Sequence, residues 1–348
     1  MPLSKINNNS YQFTEYITLK EINEITENLN INHLQTPDCQ DLNSWQLLNE
    51  NLFIKRPDIK LRIWGYHNIE CDLSFLTKMN YLRKFSADCL LTAKNIESIT
   101  SLKKLNSLSI GIFDMESFEF LNNIDNENLE FFSISATKSK KPSLKFLKHL
   151  VNIKTLYIEG QNKEIESLAN LTKLEDLTLR SISISNLEFI RVLNNLWSLD
   201  IKLGGTSNLN ALKDLENIKY LELWQINKLQ NIDVISSLTG LQNLFLQSLP
   251  NIKVFPSITN SKKLKRIYIE NLKGLSDFTA IEYAPALEEF SLTLGNYQQP
   301  EDLIPVLRNK NLKSASGYFG SDKKNIHFKD LLIEYKINEY KYSDFKYC

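Results

Sequence analysis

The sequence is poor in everything that usually marks a chemical centre. Its 348 residues include four histidines (His33, His67, His149 and His327), and none has a second histidine or a cysteine at metal-ligand spacing. The four cysteines, Cys39, Cys71, Cys89 and Cys348, form no CxxC pair and are too sparse for a disulfide scaffold. Cys71 and Cys89 read as small buried residues near turns. No GxGxxG, GxxxxGK or GxSxG motif occurs. Gly204-Gly205 is better explained by turn geometry than by phosphate binding. The adjacent carboxylates Glu175-Asp176 and Glu288-Glu289 carry no mark of an acid/base pair. These absences point to a protein that is not an enzyme and uses no cofactor or metal.

Charge of one sign is missing too. The 41 basic residues balance 41 acidic ones, which gives no support to a general nucleic-acid or acidic-membrane binder. No stretch approaches the ~18 apolar residues of a membrane span. The first residues hold no apolar run of signal-peptide length. The expectation is a soluble, cytoplasmic monomer with no membrane and no nucleic acid among its partners.

What the chain does have is a spaced apolar pattern. From Ile218, apolar residues fall at relative positions 1, 4, 6 and 9 (Ile218, Leu221, Leu223, Ile226), and the pattern restarts at Leu241 and Leu264, 23 residues apart each time. Apolar residues two apart, at positions 4 and 6, are strand periodicity, one face in and one face out. A return at fixed spacing is the signature of a solenoid. Position 1 is filled by Leu82, Leu105, Leu129, Ile153, Leu174, Leu196, Ile218, Leu241, Leu264, Leu287 and Leu312, with gaps of 21–25 residues. A degenerate first copy starts at Asp58, with Leu61 and Ile63 in its strand, making about twelve repeats. Between strands a polar residue (Asp72, Ser117, Ser143, Asn186, Asn208, Asn231) precedes an apolar pattern that fits one short helical turn, α or 3₁₀.

These LxxLxL strands in register resemble the leucine-rich repeat family, specifically its bacterial, internalin-like class, over about residues 58–320. The resemblance implies an α/β solenoid: an arc with a parallel β-sheet on the concave side and short α or 3₁₀ turns on the convex side. The chain departs from the family at position 9, where the family usually has Asn bonding the turn backbone. Here the position holds Leu90, Phe113, Ile182, Ile226, Leu249 and Leu272. Those backbone groups need other partners, so an irregular turn side is expected. The apparent lack of an export signal is a second departure.

A solenoid exposes an apolar cross-section at each end unless something covers it. Residues 1–57 read as an N-terminal helical cap. One short helix carries Leu19, Ile22 and Ile25, Pro37-Asp38 forms a break, and a second helix capped by Asp41 carries Trp45, Leu47, Leu48 and Leu52. Residues 321–348, with Ile326, Phe328, Leu331, Leu332, Tyr335, Ile337, Tyr340 and Tyr342, read as a C-terminal cap, with a partner-binding tail as the alternative.

If positions 4 and 6 point inward, positions 3, 5 and 7 face outward on the sheet. That face gathers Tyr157, Tyr220, Trp224, Phe245 and Tyr268, with Trp197 flanking and Glu222 among the acids. Exposed aromatics on a rigid sheet are what protein-binding hot spots need. The first repeats are instead basic at Lys60, Arg62, Arg83 and Lys84, which would steer an acidic partner. The functional expectation is a scaffold that binds another protein on the concave face. By family analogy, neutralisation of a toxin or effector is a specific form of that role. The alternative is glycan or small-ligand recognition through the Tyr/Trp cluster, which requires a local pocket.

Overall fold

The structure, a computed structural model, describes residues 3–14, 16–37, 42–65 and 70–348. Asp38, Cys39, Asp41 and His67, singled out in the sequence, lie outside the described residues. The chain divides into two compact units, Met1–Leu174 and Glu175–Cys348.

The second unit is the more regular. Its strands are Asp176–Arg180, Ser198–Lys202, Tyr220–Trp224, Asn243–Gln247, Arg266–Glu270, Glu289–Thr293, Ser314–Gly317 and Asn338–Glu339. They pair in that order, all parallel. Each residue lies opposite its equivalent in the next repeat, so Leu221 pairs with Leu244 and Glu222 with Phe245. Leu199, Leu221, Leu244, Ile267 and Phe290 are fully buried at position 4, and Leu223, Leu246, Ile269 and Leu292 at position 6. Each such leucine stabilises the fold by roughly 1.5–3 kcal/mol through burial. This is the architecture of a leucine-rich-repeat solenoid.

The bridging turns follow the polar residues picked out in the sequence. The side-chain oxygens of Asn186, Asn208 and Asn231 accept from the backbone N–H of Glu188, Asn210 and Asp233 at 3.2, 2.7 and 3.4 Å. Each opens a 3₁₀ turn. Asp72, Ser117 and Ser143 do the same in the first unit. A 3₁₀ turn fits because about six residues must recross the repeat, too few for a stable α-helix.

The irregularity expected at position 9 is not found in the second unit. Ile182, Ile226, Leu249 and Leu272 are buried there. The residue before each one, at position 8, carries the solution. Ser181, Leu203, Gln225, Ser248, Asn271 and Leu294 all have φ between 48° and 55°. This left-handed kink aims the backbone N–H at the following repeat. Ser181, Leu203, Gln225, Ser248 and Asn271 each donate to the position 7 carbonyl of the next strand, at 2.8–3.1 Å. The backbone thus continues its own ladder past the strand, and no asparagine is needed at position 9. The left-handed conformation costs roughly 1–2 kcal/mol at each non-glycine residue, which the hydrogen bond and the buried neighbour offset.

The first unit carries the strands Lys60–Gly65, Lys84–Leu90, Ser107–Ile112, Phe131–Ile134 and Thr155–Glu159 in parallel. Its register shifts between Ala87 and Leu90. Phe113, at position 9, is about half exposed. The N-terminal segment contributes more than helices. Ser10–Phe13 and His33–Thr36 extend the same parallel sheet, and Leu3–Asn7 pairs antiparallel with Ser10–Phe13. The sequence reading missed these strands because they lack the LxxLxL spacing. The helix Leu19–Glu27 is closed by a capping box between Thr18 and Glu21, and it buries Ile22 and Ile25 while Leu19 stays exposed. The helix Leu42–Leu48 leads into a π-type turn, and Trp45 stacks on Phe75 at 4.0 Å.

One cysteine expectation is corrected. Cys71 is buried, as read, and is disulfide-bonded, whereas Cys89 is only half-buried. Cys89 and Cys348 are free. Spacing along the chain gave no signal of the bond, because a disulfide needs proximity in space rather than in sequence.

At the far end the helix Asp322–Glu334 buries Phe328, Leu331 and Leu332, while Ile326 is exposed on the opposite side from that packing. Phe328 packs on Phe319 with ring centroids 5.6 Å apart. Position 6 of the last strand is Gly317, where an added Cβ would lie 2.7 Å from the Phe319 ring and 3.0 Å from Phe328. The apolar pattern fades there because two phenylalanines fill the space a side chain would take.

Candidate binding face

The outward face of the second unit is set by the register. Position 5 runs Thr178, Asp200, Glu222, Phe245, Tyr268 and Ser291 on adjacent strands. Phe245 and Tyr268 are cross-strand neighbours in a T-shaped pair, ring centroids 5.0 Å apart. Trp224 lies under the Arg180 guanidinium at 5.4 Å, a cation–π contact. Its indole Nε1 is buried and has no hydrogen-bond partner among the described residues.

Beside the aromatics is a tight group of charges. Lys202 Nζ bridges Asp200 at 2.9 Å and Glu222 at 3.1 Å. The Tyr220 hydroxyl donates to Glu222 at 2.8 Å. Burial, reinforced by the Glu222 charge, pushes the Asp200 carboxyl up to about 6. Burial also raises Asp176 above the usual carboxylate range. The Tyr220 phenol rises far above its ordinary value, mainly through burial and then the Glu222 charge. Lys202 stays protonated, because the two carboxylates outweigh its own burial.

Of the residues singled out in the sequence, Trp197, Tyr220, Glu222, Trp224, Phe245 and Tyr268 lie in the second unit. Tyr220, Glu222, Phe245 and Tyr268 line one cleft of about 520 Å³. Tyr157 belongs to the first unit, where its hydroxyl donates to Glu159 at 3.2 Å. The basic residues are less available for steering than their number implies. Arg62 pairs with Asp88 at 2.8 Å and stacks on Trp64 at 5.5 Å. Lys60 donates to Ser109 at 3.3 Å, and burial lowers its pKa. Arg83 is exposed.

The feature that sequence reasoning missed is what lies on the face. After Asn338–Glu339 pairs with Ser314–Gly317, the chain does not stop at capping the end. Residues 340–348 turn back and cross the starts of the preceding strands. The Tyr340 N–H donates to the Ala315 carbonyl at 2.9 Å. Arg266 donates to the Ser343 carbonyl at 2.9 Å, and its guanidinium lies 5.1 Å from the Phe345 ring. Asn243 donates to the Tyr347 hydroxyl at 3.1 Å. Tyr347 packs against Trp197 and Tyr220, at 5.0 and 6.4 Å. Lys219 and Gln242 donate to the Cys348 carbonyl at 2.7 and 3.1 Å, and the Cys348 N–H donates back to Gln242 at 3.0 Å. Asn243, Arg266 and Glu270 complete the sheet side of the cleft, and Tyr340, Tyr342, Asp344, Phe345 and Tyr347 from this tail form its other side. The columns did contain Asn243 and Arg266. The signal for the tail was its spacing of aromatics two apart at Tyr340 and Tyr342, then Phe345 and Tyr347.

Among the described residues no group of three or more His, Cys, Asp or Glu side chains is arranged to hold a metal ion. No helix is long and apolar enough to cross a membrane.

Fold and face together define a repeat solenoid with an aromatic, charge-bearing sheet surface. No family model and no curated protein matches the chain. Among solved structures it is similar to an internalin from Listeria monocytogenes, at 19% identity over 88% of this chain and 86% of that one, with a TM-score of 0.49. It is also similar to a leucine-rich-repeat protein from Leptospira interrogans, at 16% identity over 92% of each chain, with a TM-score of 0.48.

Proposed function

We propose that the chain is a non-enzymatic interaction scaffold whose sheet face in the second unit holds a partner protein. One observation carries this reading: the face already binds a stretch of irregular polypeptide, its own tail, through aromatic rings and side-chain hydrogen bonds to the tail's backbone. A surface that seats one such segment has the chemistry to seat another. Trp224, Phe245 and Tyr268 offer further aromatic contact beside it. In its narrowest form the role is neutralisation of a toxin or effector, and suppression of a captured partner's toxicity on coexpression would establish that form.

The test is capture of the native partner by wild-type chain and by the Trp224→Ala/Phe245→Ala/Tyr268→Ala variant. The partner is expected to be lost while the circular-dichroism melt is retained. Undiminished capture by the folded triple variant refutes the assigned face. The cleft of about 520 Å³ supports a second reading, recognition of a glycan or other small ligand, since it falls in the usual range for such sites. The tail forms one wall, so such a ligand would protect the tail from carboxypeptidase as well as raise the melting temperature. Screening sugars and nucleotides against both readouts separates the two readings.

A further inference from the structure

Resting on the scaffold reading, we propose that the face takes a peptide with two aromatic side chains two residues apart, and that residues 340–348 are a built-in competitor for that site. The tail itself shows what the face selects. Much of its hold is on backbone that any peptide offers: the carbonyls of Ser343 and Cys348 accept from Arg266, Lys219 and Gln242. The contacts that depend on side-chain type centre on Phe345 and Tyr347. Phe345 lies on Arg266, and Tyr347 lies between Trp197, Tyr220 and Asn243.

Arg266 also lies 5.5 Å from the half-buried Tyr340 ring and donates to Ser343 Oγ at 3.2 Å, and the remaining side chains are mostly open to solvent. Lys341, Tyr342, Ser343, Asp344 and Lys346 are exposed, Tyr342 at 80%. Ladder pairing with the sheet ends near Tyr340, and the last eight residues rest on the surface through these few anchors. A segment held this way can exchange with a competitor of like chemistry without disturbing the repeats. The partner's segment is therefore a peptide bearing the aromatic pair that Phe345 and Tyr347 now supply. It gains access in proportion to the time the tail is unseated.

The probe is a synthetic peptide of residues 338–348, carrying Cys348→Ser and an N-terminal fluorescein. It is titrated by fluorescence anisotropy into the full-length chain and into full-length Phe345→Ala/Tyr347→Ala, with folding of both checked by circular dichroism. The peptide is expected to bind the double variant at least about tenfold more tightly than wild type, because the wild-type tail occupies the site. The same peptide with both aromatics changed to alanine is expected not to bind. If the double variant does not fold, Tyr347→Ala alone serves, with a smaller gain. Equal affinity for both chains, or no binding to the folded variant, overturns the proposal. So does a concentration-dependent dimer formed by tail exchange in place of peptide binding. A double variant that captures the native partner protein but not the peptide refutes only the peptide class. Retained capture by the Trp224/Phe245/Tyr268 variant is what refutes the assigned face on which the scaffold reading rests.

Discussion

Replacing Asp200 with asparagine tests the electrostatics of the face. The carboxyl is largely buried, its side chain only 14% exposed, beside Glu222, and its Oδ1 has no hydrogen-bond partner among the described residues. In the unfolded chain it ionises near 3.8, and in the folded chain at about 6. Between those values the folded chain holds the extra proton, so this group's contribution to stability falls as pH rises. Above about pH 6 the deficit is constant. At 1.36 kcal/mol per tenfold change in the ionisation constant, the full deficit is about 3 kcal/mol. The effective dielectric near the surface and local relaxation reduce this, so the measurable part is about 1–2 kcal/mol. Asparagine keeps the shape and removes the charge, and Lys202 retains Glu222 at 3.1 Å. The expected result is equal stability of the two chains at pH 4, and a variant about 1–2 kcal/mol more stable at pH 7.5. Urea unfolding followed by tryptophan fluorescence across that range measures it. A variant less stable than wild type at pH 7.5, or a difference that does not change with pH, refutes the argument.

Two further substitutions probe the turns. Gln225→Gly removes the left-handed strain at φ 51° while keeping the N–H that donates to Gln247, so a stability gain of up to about 1 kcal/mol is expected in denaturant melts; a loss would show that the kink is not strained. Leu249→Asn restores the family's usual residue at position 9, yet the ladder there is already completed by Ser248 N–H. It should therefore cost roughly 2–4 kcal/mol for the lost packing and the unpartnered amide, and a neutral result would mean that the asparagine finds turn backbone to bond.

The repeat was legible from sequence because strand pairing and burial are periodic, and period is a one-dimensional property. Apolar residues at positions 4 and 6 had to share one side of the sheet. A constant spacing near 23 residues had to bring like positions into register, as Leu221 opposite Leu244 and Glu222 opposite Phe245. The polar residues that open each turn were readable for the same local reason, since each acts on a backbone group two residues away. Most of the aromatic face followed from those columns.

Only the tertiary structure decided the rest, wherever the deciding contact is distant along the chain. That Gly317 yields its place to Phe319 and Phe328 depends on a helix folding back over the last strand. The missing asparagines at position 9 pointed to irregular turns. What settles the matter is the left-handed residue before them, a conformation that Ser181, Leu203 and Gln225 do not announce by type. The tail on the binding face is the clearest case. Tyr347 meets Trp197 across 150 residues, and Cys348 meets Lys219 across 129. No periodicity links them. The sequence by itself determined a sheet with an outward face and which side chains stand on it. Whether that face is open or occupied was decided by the end of the chain finding, in space, a surface complementary to its own aromatics.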